Sequence, residues 1–101
     1  MMDILQPAGW HRPRGYSHGM SARGRIVAVS GQVGWNPASG EFERDDFIGQ
    51  ADQALRNIVA VLKSGGAEPK DLVRLTWYII NRSDYLAAQK PLGQAYREII
   101  G

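Results

Sequence analysis

The sequence contains no cysteine, which excludes disulfides and thiolate metal sites. Its only histidines, His11 and His18, are too few for a structural zinc site, so we expect no bound metal. No run approaches the ~20 apolar residues that a membrane-spanning helix needs. Residues 1–7 also lack the positively charged N-terminal residues and the apolar stretch of a signal peptide. We therefore expect a cytoplasmic protein that makes no membrane contact.

Acidic residues are absent from one third of the chain. Between Ile4 and Gly40 there is no aspartate or glutamate, while the same stretch contains arginines at positions 12, 14, 23 and 25. A basic region of this kind attracts anions such as small carboxylates, phosphates or nucleic acid, although a merely solvated face is the alternative. The length of 101 residues and a hydrophobic fraction of 44% fit a single domain spanning residues 1–101.

The first half of the chain predicts two strands separated by turns. Residues 1–15 contain prolines and glycines that favour an irregular arm. Residues 16–20 predict a short strand, and residues 21–24 a turn. Residues 25–30 are apolar on both faces, which indicates a buried strand. Asparagine, proline and glycine in residues 36–40 predict another turn.

The spacing of apolar residues then changes to that of an amphipathic helix. Asp45 or Asp46 can cap its start, and the glycine pair at 65–66 can end it. The apolar positions recur at helical spacing: Phe47, Ala51, Ala54, Leu55, Ile58 and Leu62.

A third strand and a second helix complete the predicted pattern. Residues 72–80 alternate in polarity, which predicts a strand with Val73, Leu75, Trp77 and Ile79 on its apolar face. Asn81 or Ser83 can cap the following helix, whose apolar positions are Tyr85, Ala88, Leu92, Tyr96 and Ile99. Pro91 should kink this helix, or split it so that the longer piece begins at Pro91. The order β-β-α-β-α favours a parallel sheet with both helices on one face.

The best candidate for a binding site is the glycine-rich run at residues 30–35. A strand end that contains glycine exposes backbone N–H groups, which can hold an oxyanion or a carboxylate. Ser30 adds a hydroxyl group and Trp35 an apolar wall next to Gly31. The alternative is that the glycines only relieve close packing. A serine nucleophile is not predicted, because Ser17 and His18 are neighbours on a strand and point to opposite faces.

Several motifs together resemble the Rid family, also known as the YjgF/YER057c/UK114 or L-PSP family. They are Gly-Tyr-Ser-His at residues 15–18, Val-Ser-Gly-Gln-Val-Gly at 29–34, Asn-Pro at 36–37, Gly-Gly-Ala at 65–67 and Asp-Leu-Val-Arg-Leu-Thr at 71–76. The resemblance covers residues 14–100. It implies a chorismate-mutase-like α+β fold, in which a β-sheet carries two helices on one face. It also implies a homotrimer with ligand clefts between subunits.

Well-understood members of this family hydrolyse reactive 2-imino or enamine acids to 2-keto acids and ammonia, without metal or cofactor. The resemblance therefore implies an enamine/imine deaminase that takes a small carboxylate-bearing ligand. One alternative is a non-catalytic module that binds small carboxylates or a protein partner. Another is a ribonuclease or translation inhibitor, as other members have been described, although no aromatic-interleaved basic motif supports nucleic-acid binding.

The resemblance also assigns site residues by position. It implies that Tyr16 lines the cleft and that Ser30 and the Gly31 backbone contact the substrate carboxylate. Gly93 stands where many members carry an asparagine. The family places its carboxylate-binding arginine and a water-orienting acid in strands after the second helix, and the sequence reaches Gly101 before them. The expectation is that the C-terminal strands of the family fold are absent, which leaves the catalytic residues unassigned and enzyme activity an open question.

Overall fold

Three helices form most of the regular structure in a computed structural model that describes residues 2–101. Helix α1 spans Phe47–Ser64, α2 spans Arg82–Ala87 and α3 spans Gln89–Ile99. A short 3-10 turn, Pro69–Asp71, follows α1. Both helical regions predicted by the apolar spacing are therefore confirmed.

The ends of α1 are fixed by the residues that the sequence suggested. The Asp46 carboxylate accepts a hydrogen bond from the Gly49 N–H at 2.8 Å, so Asp46 and not Asp45 is the N-cap. At the other end, the Gly65 N–H donates to the Leu62 carbonyl at 3.0 Å. These bonds satisfy backbone groups that the helix itself leaves without partners.

The hydrophobic core lies where α1 packs against α3. Leu55 is the most deeply buried large side chain, with 1% of its surface exposed. The other buried apolar residues are Ala51, Leu62, Leu92 and Ala95. Four of these five residues belong to the predicted apolar faces, and Ala95 was not among them.

The second helical region is split, as predicted, but at a different residue. The chain breaks at Ala88, and α3 begins at Gln89 rather than at Pro91. Pro91 therefore sits in the first turn of α3, where the backbone N–H has no partner within the helix and its loss costs no hydrogen bond. Asn81 caps α2 by accepting from the Asp84 N–H at 3.1 Å.

The N-terminal strands differ from the prediction. Strand β1, Met2–Leu5, pairs antiparallel with β2, Gly19–Ala22. The irregular arm predicted for residues 1–15 is thus wrong at Met2–Leu5, because a partner strand distant in sequence supplies the hydrogen bonds of these residues. The strand predicted at residues 16–20 begins only at Gly19 and runs into the turn predicted at 21–24.

A second antiparallel pair follows, and its turn is confirmed. Strand β3, Trp35–Asn36, pairs with β4, Glu41–Phe42. The Asn36 carbonyl accepts from the Gly40 N–H at 2.7 Å. Gly40 has a φ of +72°, a conformation that glycine adopts without the steric cost of a Cβ.

Two predicted strands and the parallel sheet are not formed within residues 2–101. Residues 25–30 and 72–80 belong to no strand pair. The burial predicted for the first segment is wrong, since Ile26 is 90% exposed; in the second, Tyr78 is 93% exposed. A strand needs a neighbouring backbone to complete its hydrogen bonds, and no other segment of the described chain takes that place. Helices with small antiparallel pairs still give the α+β content that was predicted.

The chain is flatter than a compact domain of its length. Its Cα radius of gyration is 15.4 Å and its extents are 47 × 33 × 21 Å. A compact domain of 100 residues has a radius of about 13 Å. The described chain is therefore less compact than a typical single domain of this length.

Candidate functional site

The glycine segment, residues 30–35, lies against α1 and is held there by Asn57. The side-chain Nδ2 of Asn57 donates to the Val33 carbonyl at 3.2 Å and to the Trp35 carbonyl at 3.0 Å. Asn57 is buried, with 4% of its surface exposed. One amide group thus fixes two backbone positions that lie on either side of Gly34.

The two glycines of the segment have different surroundings. A Cβ on Gly34 would lie 2.5 Å from the Gln50 Cα, so only glycine permits this close approach to the α1 backbone. A Cβ on Gly31 would meet nothing within 4 Å. Close packing, the alternative reading of these glycines, therefore explains Gly34 and does not explain Gly31.

Arg25 anchors the chain on the other side of the segment. Its Nη2 donates to the Gly65 carbonyl at 2.8 Å, at the end of α1 where a cation offsets the helix dipole. Residues 25–35 thus run along α1 from its C-terminal end toward its N-terminal half. Arg25 is engaged in this contact, which distinguishes it from the other arginines of the basic region.

Three of the predicted site residues, Ser30, Gly31 and Trp35, belong to the glycine segment itself. Ser30 and Gly31 are exposed, and the Ser30 carbonyl accepts from the Gln32 side chain at 3.3 Å. Trp35 is 41% exposed and pairs with Phe42 across the β3–β4 hairpin. The segment therefore offers a hydroxyl group, an unobstructed glycine backbone and an indole ring.

Tyr16, the fourth predicted residue, lies in a separate aromatic cluster. Its ring meets His18 edge-on with centroids 5.8 Å apart, and Trp10 meets the same imidazole at 5.0 Å. The His18 Nε2 is 3.0 Å from the His11 carbonyl oxygen. Within residues 2–101, no hydrogen bond or ring pair links Tyr16 to the glycine segment.

Two open concavities lie elsewhere on the described surface. One, of about 270 Å³, is lined by Trp77, Tyr85, Gln89, Leu92, Gly93 and Tyr96. The other, of about 550 Å³, is lined by Asp3, Ser21, Ala22 and Arg23. Neither of these two concavities includes the glycine segment.

The one acidic residue within α1, Asp52, has structural partners. The Asp52 carboxylate lies 2.7 Å from Arg56 Nε and 4.0 Å from Arg44. Its hydrogen bond and its charge raise the pKa of the Arg56 guanidinium. Among the described residues, no group of three or more histidine, cysteine or acidic side chains is placed to hold a metal ion.

Asn57 is the site residue that the sequence reasoning missed. It lies between Ala54 and Ile58, both on the predicted apolar face of α1. A buried amide must find hydrogen-bond partners. A polar residue beside an apolar stripe was therefore the signal that a loop backbone packs there.

Comparison with known proteins identifies the family. Residues 10–100 match the family model described as Endoribonuclease L-PSP, so the chain belongs to the Rid/YjgF/L-PSP family. It is 32% identical over 75 residues to a RutC family protein of Haemophilus influenzae. It is also similar to the 2-iminobutanoate/2-iminopropanoate deaminase of Capra hircus, with 32% identity over 73 residues.

Each alignment covers a larger share of this chain than of the relative. The alignment with the Haemophilus protein covers 74% of this chain and 57% of that protein. The goat alignment covers 72% and 53%. A RutC family protein of Pyrococcus horikoshii is 28% identical over 102 residues, covering 100% of this chain and 77% of that protein. In residues 2–101, no helix has both the length and the apolarity required to cross a bilayer.

Proposed function

We propose that the protein is a Rid-type deaminase that hydrolyses 2-imino acids. In this reaction water adds to the iminium carbon, and the C–N bond then breaks to release a 2-keto acid and ammonium. The observation that carries the proposal is the open backbone of Gly31, on a segment anchored to α1 on either side. The similarity to the goat 2-iminobutanoate/2-iminopropanoate deaminase points to the same chemistry.

The chemistry requires positioning more than reactive side chains. A protonated imine carbon is already electrophilic, so the protein must hold the carboxylate, place water and stabilise developing charge. In our proposal the Gly31 N–H and the Ser30 hydroxyl bind the carboxylate, and Trp35 and Tyr16 form walls of the cleft. No covalent nucleophile, metal or cofactor takes part.

We further propose that the site is completed in a homotrimer with a chorismate-mutase-like sheet. In the trimer, residues 25–30 and 72–80 gain strand partners, and the clefts lie between subunits. Support comes from the exposure of Ile26, Tyr78 and Ile80, which leaves more apolar surface than an isolated domain usually presents. The flat shape of the single chain agrees with this arrangement.

The test is the decay of 2-iminobutanoate, generated in situ, with and without the full-length protein. We expect ammonia to form faster than it does by spontaneous hydrolysis. Gly31→Val should abolish the acceleration, because its side chain occupies the space proposed for the carboxylate. Leu86→Val, an exposed change on α2, is the matched control and should retain it. A wild-type rate equal to that in buffer would reject the proposal.

RNA binding is the second candidate function, favoured by the acid-free basic region. Arg12, Arg14 and Arg23 of this region are exposed. Phosphate contacts release counterions, so RNA affinity would fall with log salt at a slope of about −0.7 per contact on a single strand. Binding of a small carboxylate without turnover is the remaining outcome, and it would identify a non-catalytic binding module.

A further inference from the structure

We infer that Asn57 is a positioning residue for the carboxylate site. It sets the orientation of the glycine segment, so that the Gly31 N–H faces the ligand. The carboxylate part of this inference rests on the proposed function. Its structural part, that Asn57 holds the segment in one conformation, can be measured without any activity.

The Asn57 amide is nearly saturated with partners. Both of its donated hydrogen bonds go to the segment, at the Val33 and Trp35 carbonyls. Its Oδ1 accepts from the Gln53 side chain, one helical turn earlier, at 2.8 Å. The amide cannot rotate without losing these bonds, because exchanging its oxygen and nitrogen would place acceptor against acceptor. Burial keeps water from replacing them.

The position of these bonds makes Asn57 the near anchor of Gly31. Val33 is two residues beyond Gly31, and Gly34 rests on the Gln50 backbone, which prevents the segment from sliding along α1. The anchor on the other side, Arg25, is six residues before Gly31. The orientation of the Gly31 N–H therefore depends chiefly on Asn57. A hydrogen-bond donor that is already oriented toward a bound or developing charge stabilises that charge more than a mobile donor does.

A purely structural role for Asn57 would give a different result. Loss of a buried contact on a core helix lowers stability but leaves a folded site with normal affinity. Loss of the anchor leaves a folded protein whose Gly31 donor is no longer aligned. Leu92→Ala is the matched control, because Leu92 is buried on α3, outside the glycine segment.

The experiment compares Asn57→Asp and Leu92→Ala in the full-length protein. Aspartate has the same shape as asparagine but turns both donated bonds into contacts between oxygens. We expect the NMR order parameters of the residue 31–35 amides to fall in Asn57→Asp from values typical of rigid backbone toward the values below about 0.6 of a flexible loop. Its pyruvate dissociation constant and its KM for 2-iminobutanoate should rise roughly 10–100-fold, as expected for a misplaced binding group. Gln53→Met, which removes only the bond to Oδ1, should give a smaller rise.

Leu92→Ala should lower the melting temperature and leave the pyruvate dissociation constant and KM within twofold of wild type. The inference is overturned if Asn57→Asp leaves the order parameters of residues 31–35 unchanged, and its carboxylate part is overturned if pyruvate affinity stays within twofold of wild type. It is also overturned if Leu92→Ala changes both as much as Asn57→Asp does. A wild-type protein that neither hydrolyses the imine nor binds pyruvate overturns the proposed function and the carboxylate part, while the order parameters still decide whether Asn57 holds the segment.

Discussion

Apolar residues of the same kind have opposite environments in the helices and in the extended segments. Leu55 on α1 is almost completely buried, whereas Ile26 in the segment 25–30 is almost completely exposed. A helix completes its backbone hydrogen bonds within itself and needs only a packing partner, which α1 and α3 give each other. A strand needs a second backbone as well. This difference indicates that the apolar extended segments are suited to pairing with strands of another subunit.

The glycine segment lies at the boundary between these two regions. Its Val33 and Trp35 carbonyls accept hydrogen bonds from Asn57 on α1, while Gly31 is exposed and a Cβ there would meet nothing within 4 Å. The contact with α1 thus holds the segment in place, and the exposure of Gly31 gives a ligand access to its backbone. Both are required of a backbone site that binds a carboxylate.

The largest effect is expected from a charge on the exposed segment. Ile26→Asp should convert the proposed trimer into monomers, because association would bury an unpaired carboxylate. Sedimentation velocity at micromolar concentration measures the change. Leu86→Asp, on the exposed side of α2, is the control and should leave the sedimentation coefficient unaltered. A wild-type monomer, or a trimer that survives Ile26→Asp, would refute the proposed role of this segment.

Truncation of the core should have the next largest effect. Leu55→Ala removes the most deeply buried large side chain and should lower the free energy of unfolding by about 2–5 kcal/mol. Leu86→Ala, at a half-exposed position, should change it by less than about 0.5 kcal/mol. Urea denaturation at a fixed protein concentration measures both. Equal losses would mean that the contrast between buried and exposed leucines does not hold in solution.

A pair of glycine substitutions sharpens the contrast within the site. Gly34→Ala would force its Cβ against the Gln50 backbone and should cost about 1–3 kcal/mol of stability. Gly31→Ala has open space and should alter stability by less than about 0.5 kcal/mol. Thermal unfolding separates the two. A stable Gly34→Ala variant would show that the segment can move away from α1.

The helices were predictable from the sequence because their signals are local. Helical spacing placed Leu55 and Leu62, and capping chemistry narrowed the start of α1 to two aspartates. The strands were not, because pairing depends on residues far apart in the chain. Nothing near Met2 indicates that it pairs with Ala22. The alternation of polar and apolar residues in 72–80 is typical of a strand with one apolar face. It does not show whether a second strand is present to pair with it.

The candidate site was predictable only in part, for the same reason. Glycine spacing and a serine indicated residues 30–35, and the role of Ser30, Gly31 and Trp35 as ligand-binding residues is still a prediction. The support from Asn57 depends on how the segment packs 22 and 24 residues away from it in sequence. The place of Tyr16 in the cleft came from family resemblance and is still a prediction. Its test is the loss of pyruvate affinity in Tyr16→Ala.

The smallest effect is expected at the start of α1, where two adjacent aspartates differ only in position. Asp46 accepts a hydrogen bond from the Gly49 N–H at 2.8 Å, so Asp46→Ala should lower stability by about 1 kcal/mol. Asp45→Ala leaves that cap intact and should lower stability by only a few tenths of a kcal/mol, because it removes a weaker charge interaction with the helix dipole. Asp46→Asn keeps the accepting oxygen and should recover most of the loss, which separates the hydrogen bond from the charge. Chemical denaturation monitored by far-UV circular dichroism measures all three. Equal losses of stability in Asp45→Ala and Asp46→Ala would show that charge near the N-terminus of α1, and not the hydrogen bond of the cap, stabilises the first turn of the helix.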